Sequence, residues 1–255
     1  MPSITDVRLK VSRAEAHLDT FKAAANAGKD ASPVAQGIYW EDGHLKYRTM
    51  ATPITTEHGI MLGDVIHQLR AALDHLLFLP AARLTTDQKV LRQIQFPISI
   101  MESEYKDSRS LKALRRLFGA SAPVLDELRG HQPFVTHATP TDSPLWVLGE
   151  LDVIDKHRTV LLTGGTVSAV GHVIDGEGQK HAIDLRKVPI VDGVAVFPIN
   201  HVFTELPREI GLKVAPYIVF HETGVRDNLS VFPIIRSLFE SVTKVIDAFE
   251  AKHLV

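Results

Sequence analysis

Between Asp6 and Ala27, the residues Val7, Leu9, Val11, Ala14, Leu18 and Phe21 recur among charged side chains at helical spacing. That predicts an amphipathic helix, stopped by Gly28. Two β-prone runs, Gly37–Trp40 and Leu45–Arg48, flank Glu41-Asp42-Gly43-His44. An Asp-Gly between such runs is a strong hairpin signal. The most regular helical pattern runs from about Glu57 to Leu79, introduced by Pro53 and Thr55-Thr56 and closed by Pro80. Leu62, Val65, Leu69, Ala72, Leu73 and Leu76 form its apolar stripe, which must face a core. A short helix is expected after Thr85-Thr86-Asp87, then a proline-pinned extended segment over Phe96–Ile100, then helices over Ser110–Phe118 and Pro123–Arg129. Asp142-Ser143-Pro144 starts another helix, with a capping side chain before proline at the first helical position. It is expected to run to about Leu162 and stop at Gly164-Gly165.

From Thr166 the pattern changes. Short β-prone runs over Val167–Val173, His181–Leu185, Val188–Val191, Val194–Pro198 and Val214–Phe220 alternate with Gly, Asp and Pro. A last amphipathic helix spans about Leu229 to Lys252. Its apolar face (Val231, Ile235, Leu238, Val242, Val245, Ile246 and Phe249 among others) suits core packing or a dimer seam. The expectation is a single α+β domain over 1–255. Long N-terminal, central and C-terminal helices build a helical core (about 1–30, 57–163 and 227–255). A β-hairpin and a small antiparallel sheet add a β-rich layer (about 166–220).

Composition narrows the chemistry. The 255 residues contain no cysteine, which excludes disulfides, thiol nucleophiles, Cys-ligated zinc and iron–sulfur clusters. The 28 Lys and Arg nearly cancel the 30 Asp and Glu, so there is no general basic coat, although a local patch is allowed. The N-terminus lacks a basic-then-apolar leader, and apolar stretches such as Leu76–Ala82 fall short of the roughly 20 residues a spanning helix needs. A cytoplasmic protein without membrane contact is therefore expected. Thirteen histidines are the compositional oddity.

Opposite the apolar stripe of the central helix lie Asp64, His67, Gln68, Ala71 and His75, flanked by Arg70 and Asp74. Lys and Glu, the usual residues of a wet helix face, are absent from Asp64 to Leu79, and Ala71 leaves room for an approaching group. Ile60–Leu76 resembles a segment found in a family of bacterial proteins. Its Arg70-x4-His75 spacing is similar to the Arg-x(4–6)-His signature of HEPN-type ribonucleases, all-helical domains of toxins and phage-defence systems. The resemblance implies metal-independent RNA cleavage, with no cofactor, at a site formed across a homodimer. It gives Arg70 the scissile phosphate and its transition-state charge, and makes His75 the general acid or base. Arg70 and His75 are about 140° apart on the helix, so they converge only with help from a partner chain or ligand.

A second cluster, Glu150 to Arg158, lies on the helix opened by Pro144. Here Asp152 or Asp155 is expected to face the strip and orient an imidazole or pair with Arg70. His157 supports them, and Lys156 and Arg158 supply a phosphate-binding patch. The same residues allow a zinc or iron site from His67, His75, Asp64 and Asp155, used by a hydrolase or oxidase. His67 and His75 are about 80° apart, however, unlike a His-Glu-x-x-His pair. The third reading is a non-catalytic small-molecule-binding or interaction protein, in which the β layer covers an apolar pocket and the polar strip is structural. Gly164-Gly165 and Asp175–Gly178 lack phosphate-loop spacing, and no Gly-x-Ser-x-Gly occurs.

Overall fold

The longest element is a 29-residue helix, Thr56–Leu84, with Leu62, Val65, Ile66, Leu69, Ala72, Leu73, Leu76 and Leu77 fully buried along one side. The computed structural model describes residues 3–26, 37–48, 54–160, 162–191, 194–198, 207–221, 225 and 229–253. In chain order these form α1 (Ile4–Asn26), β1 (Gly37–Glu41), β2 (His44–Arg48), α2 (Thr56–Leu84), α3 (Gln88–Leu91), α4 (Glu102–Asp107) and α5 (Arg109–Phe118). There follow α6 (Pro123–Gly130), α7 (Pro133–Thr136), α8 (Pro144–His157), β3 (Leu162–Ile174), β4 (Lys180–Val191), β5 (Val194–Val196), β6 (Glu209–Phe220) and α9 (Val231–His253). The fold is α+β, as the pattern predicts.

α1, α5, α8 and α9 all pack on α2, so its apolar side is enclosed. Each fully buried Leu or Ile there contributes about 1.5–3 kcal/mol. The apolar face of α9 goes into this core, with Val231, Ile235, Leu238, Val242, Val245, Ile246 and Phe249 buried. Arg8 of α1 ties to Asp247 and Glu250 of α9 at the surface.

The Asp42-Gly43 turn has positive φ at both residues (52° and 73°), the pair a two-residue type I′ hairpin requires. Trp40 pairs with Leu45 and Glu41 with His44. The hairpin is part of the main sheet: β2 pairs with β5, giving the antiparallel order β1-β2-β5-β4-β3-β6. The sheet has its own core of Leu45, Tyr47, Val167, Ala169, Val173, Ile183, Val188, Ala195 and Phe197. Its root, at Leu162, Ile218 and Phe220, enters the helical core.

Several expected boundaries move. Pro80 lies inside α2, and the helix continues to Leu84. The missing N–H forfeits one helical bond, but Leu79, Pro80 and Ala81 are buried and hold the last turn in place. The helix opened by Pro144 ends at His157 rather than near Leu162. Leu162 onward pairs with β6: Gly164 lies opposite Ile218 and Gly165 falls in a register shift of the strand, so the pair is not a helix stop. The runs His181–Leu185 and Val188–Val191 are one strand, β4, and β5 stops at Val196. The expected stop at Gly28 lies outside the described residues.

Phe96–Ile100 is irregular and outside the sheet, yet Phe96, Pro97 and Ser99 are buried. A buried backbone without a ladder must find its hydrogen bonds elsewhere. Here side chains supply them. Phe96 N–H donates to Asp74 Oδ1 (2.8 Å), and its carbonyl accepts from Arg70 Nη2 (2.7 Å). Gln95 N–H donates to Ser110 Oγ at 3.1 Å, and that hydroxyl donates back to the Gln95 carbonyl. Gln132, wholly buried, accepts from Ser99 N–H (3.1 Å) and donates to the carbonyls of Pro97 (2.8 Å) and Leu128 (3.1 Å).

Truncating Gln132 to Ala orphans buried backbone groups on both sides of the segment. The expected cost is about 2–4 kcal/mol, seen as a lower urea midpoint with an unchanged m-value. A loss below about 1 kcal/mol would mean that the segment draws its order from apolar packing alone.

Candidate functional site

The polar residues of α2 do not form one strip in space. They divide among three neighbours, because α1, α8 and the Gln95–Ser99 segment each cover a different part of the helix.

Arg70 and Asp74 turn to the buried segment. Arg70 Nη2 is 3.0 Å from Asp74 Oδ1, and the two together grip the peptide groups of Phe96. The Arg70 side chain is 13% exposed, and its Nη1 is buried with no hydrogen-bond partner among the described residues. Burial pushes the Asp74 carboxyl up, opposed by the Arg70 charge and the Phe96 N–H. In this arrangement the guanidinium expected on a phosphate serves the fold.

Asp64 and His67 belong to the α2–α8 seam. His67 Nδ1 is 3.4 Å from Asp152 Oδ1. Asp152 is almost wholly buried, and its Oδ2 accepts from Lys156 Nζ at 2.6 Å. Of the α8 carboxylates, Asp152 is the one that lies against a strip imidazole. Asp155 lies directly over Gly63, where a Cβ would fall 1.9 Å from its Oδ1. Glycine leaves room for the Asp155 carboxylate to rest against α2. Burial and then the charges of Asp152 and Asp64 push the Asp155 carboxyl up, against His67 and Lys156. His157 and Arg158 are exposed at the end of α8.

His75 faces α1. With Gln68 it lines an open groove of about 570 Å³ whose other wall is Asp6, Leu9, Lys10, Ser12, Arg13 and Ala16. Arg70 does not line it. His75 is exposed, yet partial desolvation and then the Lys10 charge lower its pKa, opposed by Asp74 and Asp6. The side-chain amide oxygen of Gln68, Oε1, is buried without a partner among the described residues. Lys10 and Arg13 were not singled out from the sequence. Their three-residue spacing puts them on one side of α1, but nothing in the chain order says that this side meets His75.

The structure therefore separates the two residues of the Arg-x4-His pair and pairs His75 with cations from α1. Among the described residues, no three of His, Asp and Glu are grouped so as to hold a metal ion, and His67 and His75 serve different seams. None of the described helices is long and apolar enough to cross a membrane. Comparison with protein-family models, with curated proteins and with solved structures returns no match.

What the groove can do chemically is hold an anion and move a proton. Lys10 and Arg13 supply positive charge, and a histidine with a lowered pKa is neutral, hence basic, at pH 7.

The close approach at Gly63 can be tested by a double-mutant cycle. Gly63→Ala forces the Asp155 carboxylate aside and is expected to cost about 1–3 kcal/mol. In an Asp155→Ala background the same change should cost little. An equal cost in both backgrounds would show that the strain lies elsewhere.

Proposed function

We propose that this chain is a metal-independent RNA-binding and RNA-cleaving protein that works at the His75 groove. The observation that carries the reading is the company His75 keeps: an accessible imidazole with a lowered pKa, walled by Lys10 and Arg13 in an open groove of about 570 Å³. The Arg-x4-His resemblance supports it from the sequence side. The role given there to Arg70 passes to the α1 cations, and Arg70 instead holds the Phe96 peptide.

In this reading Lys10 and Arg13 bind the phosphate and stabilise its growing charge. Neutral His75 accepts the proton of a ribose 2′-hydroxyl, and the 2′-oxygen attacks the adjacent phosphorus. The bond to the 5′-oxygen breaks, and that oxygen takes a proton from solvent water. The products are a 2′,3′-cyclic phosphate and a 5′-hydroxyl, and no metal enters the balance.

Cleavage of single-stranded RNA in EDTA tests this. His75→Ala is expected to lose about 10²–10⁴-fold in rate, and His67→Ala to stay within a few-fold of wild type. A base with a lowered pKa gives a rate that rises with pH and reaches half-maximum below the ordinary histidine value of 6.5. Lys10→Met removes a charge that favours the neutral imidazole, so this limb should move to higher pH. RNA left intact by the wild type, or cut equally by His75→Ala, overturns the reading.

A further inference from the structure

α5 is short but sharply two-sided. Ser110, Leu111, Ala113 and Leu114 are buried, while Arg109, Lys112, Arg115 and Arg116 are exposed. These four cations occupy about 120° of the helix circumference and extend about 10 Å along its axis. The helix contains no acidic residue. Among the described residues only Lys112 of the four has a carboxylate partner, Asp107 at 3.2 Å. Arg92 adds another exposed cation, three residues before the Gln95 that is bonded to Ser110. The stretch Arg83–Phe118 holds eight Lys and Arg against four Asp and Glu, in a chain whose formal net charge is −2. The positive charge is therefore local.

We infer that the exposed face of α5 is a docking surface for the phosphate backbone of single-stranded RNA. This rests on the reading of the His75 groove as RNA-directed and adds where the strand outside the groove is held. Charge complementarity commits the face to a polyanion. An anionic bilayer is disfavoured because an interfacial helix needs a free apolar side to insert, and Leu111, Ala113 and Leu114 are already spent in the core. The spacing suits a strand: cations three and four residues apart sit about 5–6 Å from one another, so each can meet a separate phosphate. α5 is also braced against the catalytic helix. Ser110 grips Gln95, and the next residue, Phe96, is gripped by Arg70 and Asp74, the latter adjacent to His75.

The test is fluorescence anisotropy with a 5′-labelled single-stranded RNA and the full chain. The triple variant Arg109→Gln/Arg115→Gln/Arg116→Gln is compared with a control, Lys22→Gln/Arg236→Gln, in α1 and α9. The α5 variant should keep its melting temperature and circular dichroism and bind at least 10-fold more weakly. Its plot of log Kobs against log salt should be shallower by about 2, because three phosphate contacts at about 0.7 each are lost. The control should bind like wild type. An α5 variant within two-fold of wild type overturns the proposal, as does absence of RNA binding by wild type. Binding to phosphatidylserine vesicles, lost in the triple variant, with none to RNA, overturns it in favour of a membrane. RNA binding that depends on α5 in a wild type unable to cut supports this proposal while overturning the role of His75.

Discussion

A segment with no regular structure enters the helical core along Gln95–Ser99, and peptide groups of Gln95, Phe96, Pro97 and Ser99 are held by side chains from α2, α5 and the residue before α7. Arg70 and Asp74 come from α2, Ser110 from α5 and Gln132 from the residue preceding α7. Buried peptide groups left unpaired cost about 1–3 kcal/mol each, so these side chains are bound to their task. The helices around the segment are placed by it as much as by apolar packing. Because the grip is polar and directional, it fixes the rotation of α2 about its axis, and that rotation decides what each polar residue of α2 can meet.

Arg70 and His75 show the consequence. They are five residues apart on the same helix, and the same rotation sends them to different neighbours. Arg70 points into the segment and His75 into the α1 groove. A motif defined by spacing along a helix assumes that its members serve one site. Here the helix is covered on several sides, and the spacing instead divides them between a structural grip and an open groove. The cations that attend His75 come from another helix, where spacing rules within α2 have no reach.

What could be read in advance follows the range of the interactions concerned. The Asp42-Gly43 hairpin is a local matter of positive φ, and it forms as expected. The apolar stripe of α2 is a matter of periodicity, and every residue assigned to it is buried. Pro80 and Gly164-Gly165 look like breaks by local preference, but burial carries α2 past the first and the ladder to β6 absorbs the second. The contact of Asp152 with His67 was within reach because both helices carried dense polar runs. The approach of Lys10 and Arg13 to His75 was not. It depends on how α1 lies across α2, which no pattern along one helix encodes.

The histidines make the same point about long-range placement. His58 Nδ1 accepts the Thr55 N–H at the start of α2, taking the position that Glu or Gln fills in a capping box. His131 is tied to Glu127 at 3.0 Å, His181 to Asp175 at 2.8 Å and His172 to Glu209 at 3.3 Å. Each of these has a nearby acidic or backbone partner, and Glu127 also acts on the charge of His253. An abundance of imidazoles assembles a metal site only if several point at one place, and here they are spread as local ties along the chain. Burial and lysine charge lower the pKa of His75, as they do for His131 and His253, but His75 lines the groove walled by Lys10 and Arg13. An exposed imidazole whose pKa is lowered beside Lys10 and Arg13 is neutral at pH 7 and free to accept a proton, which is the ground of the proposal made for His75.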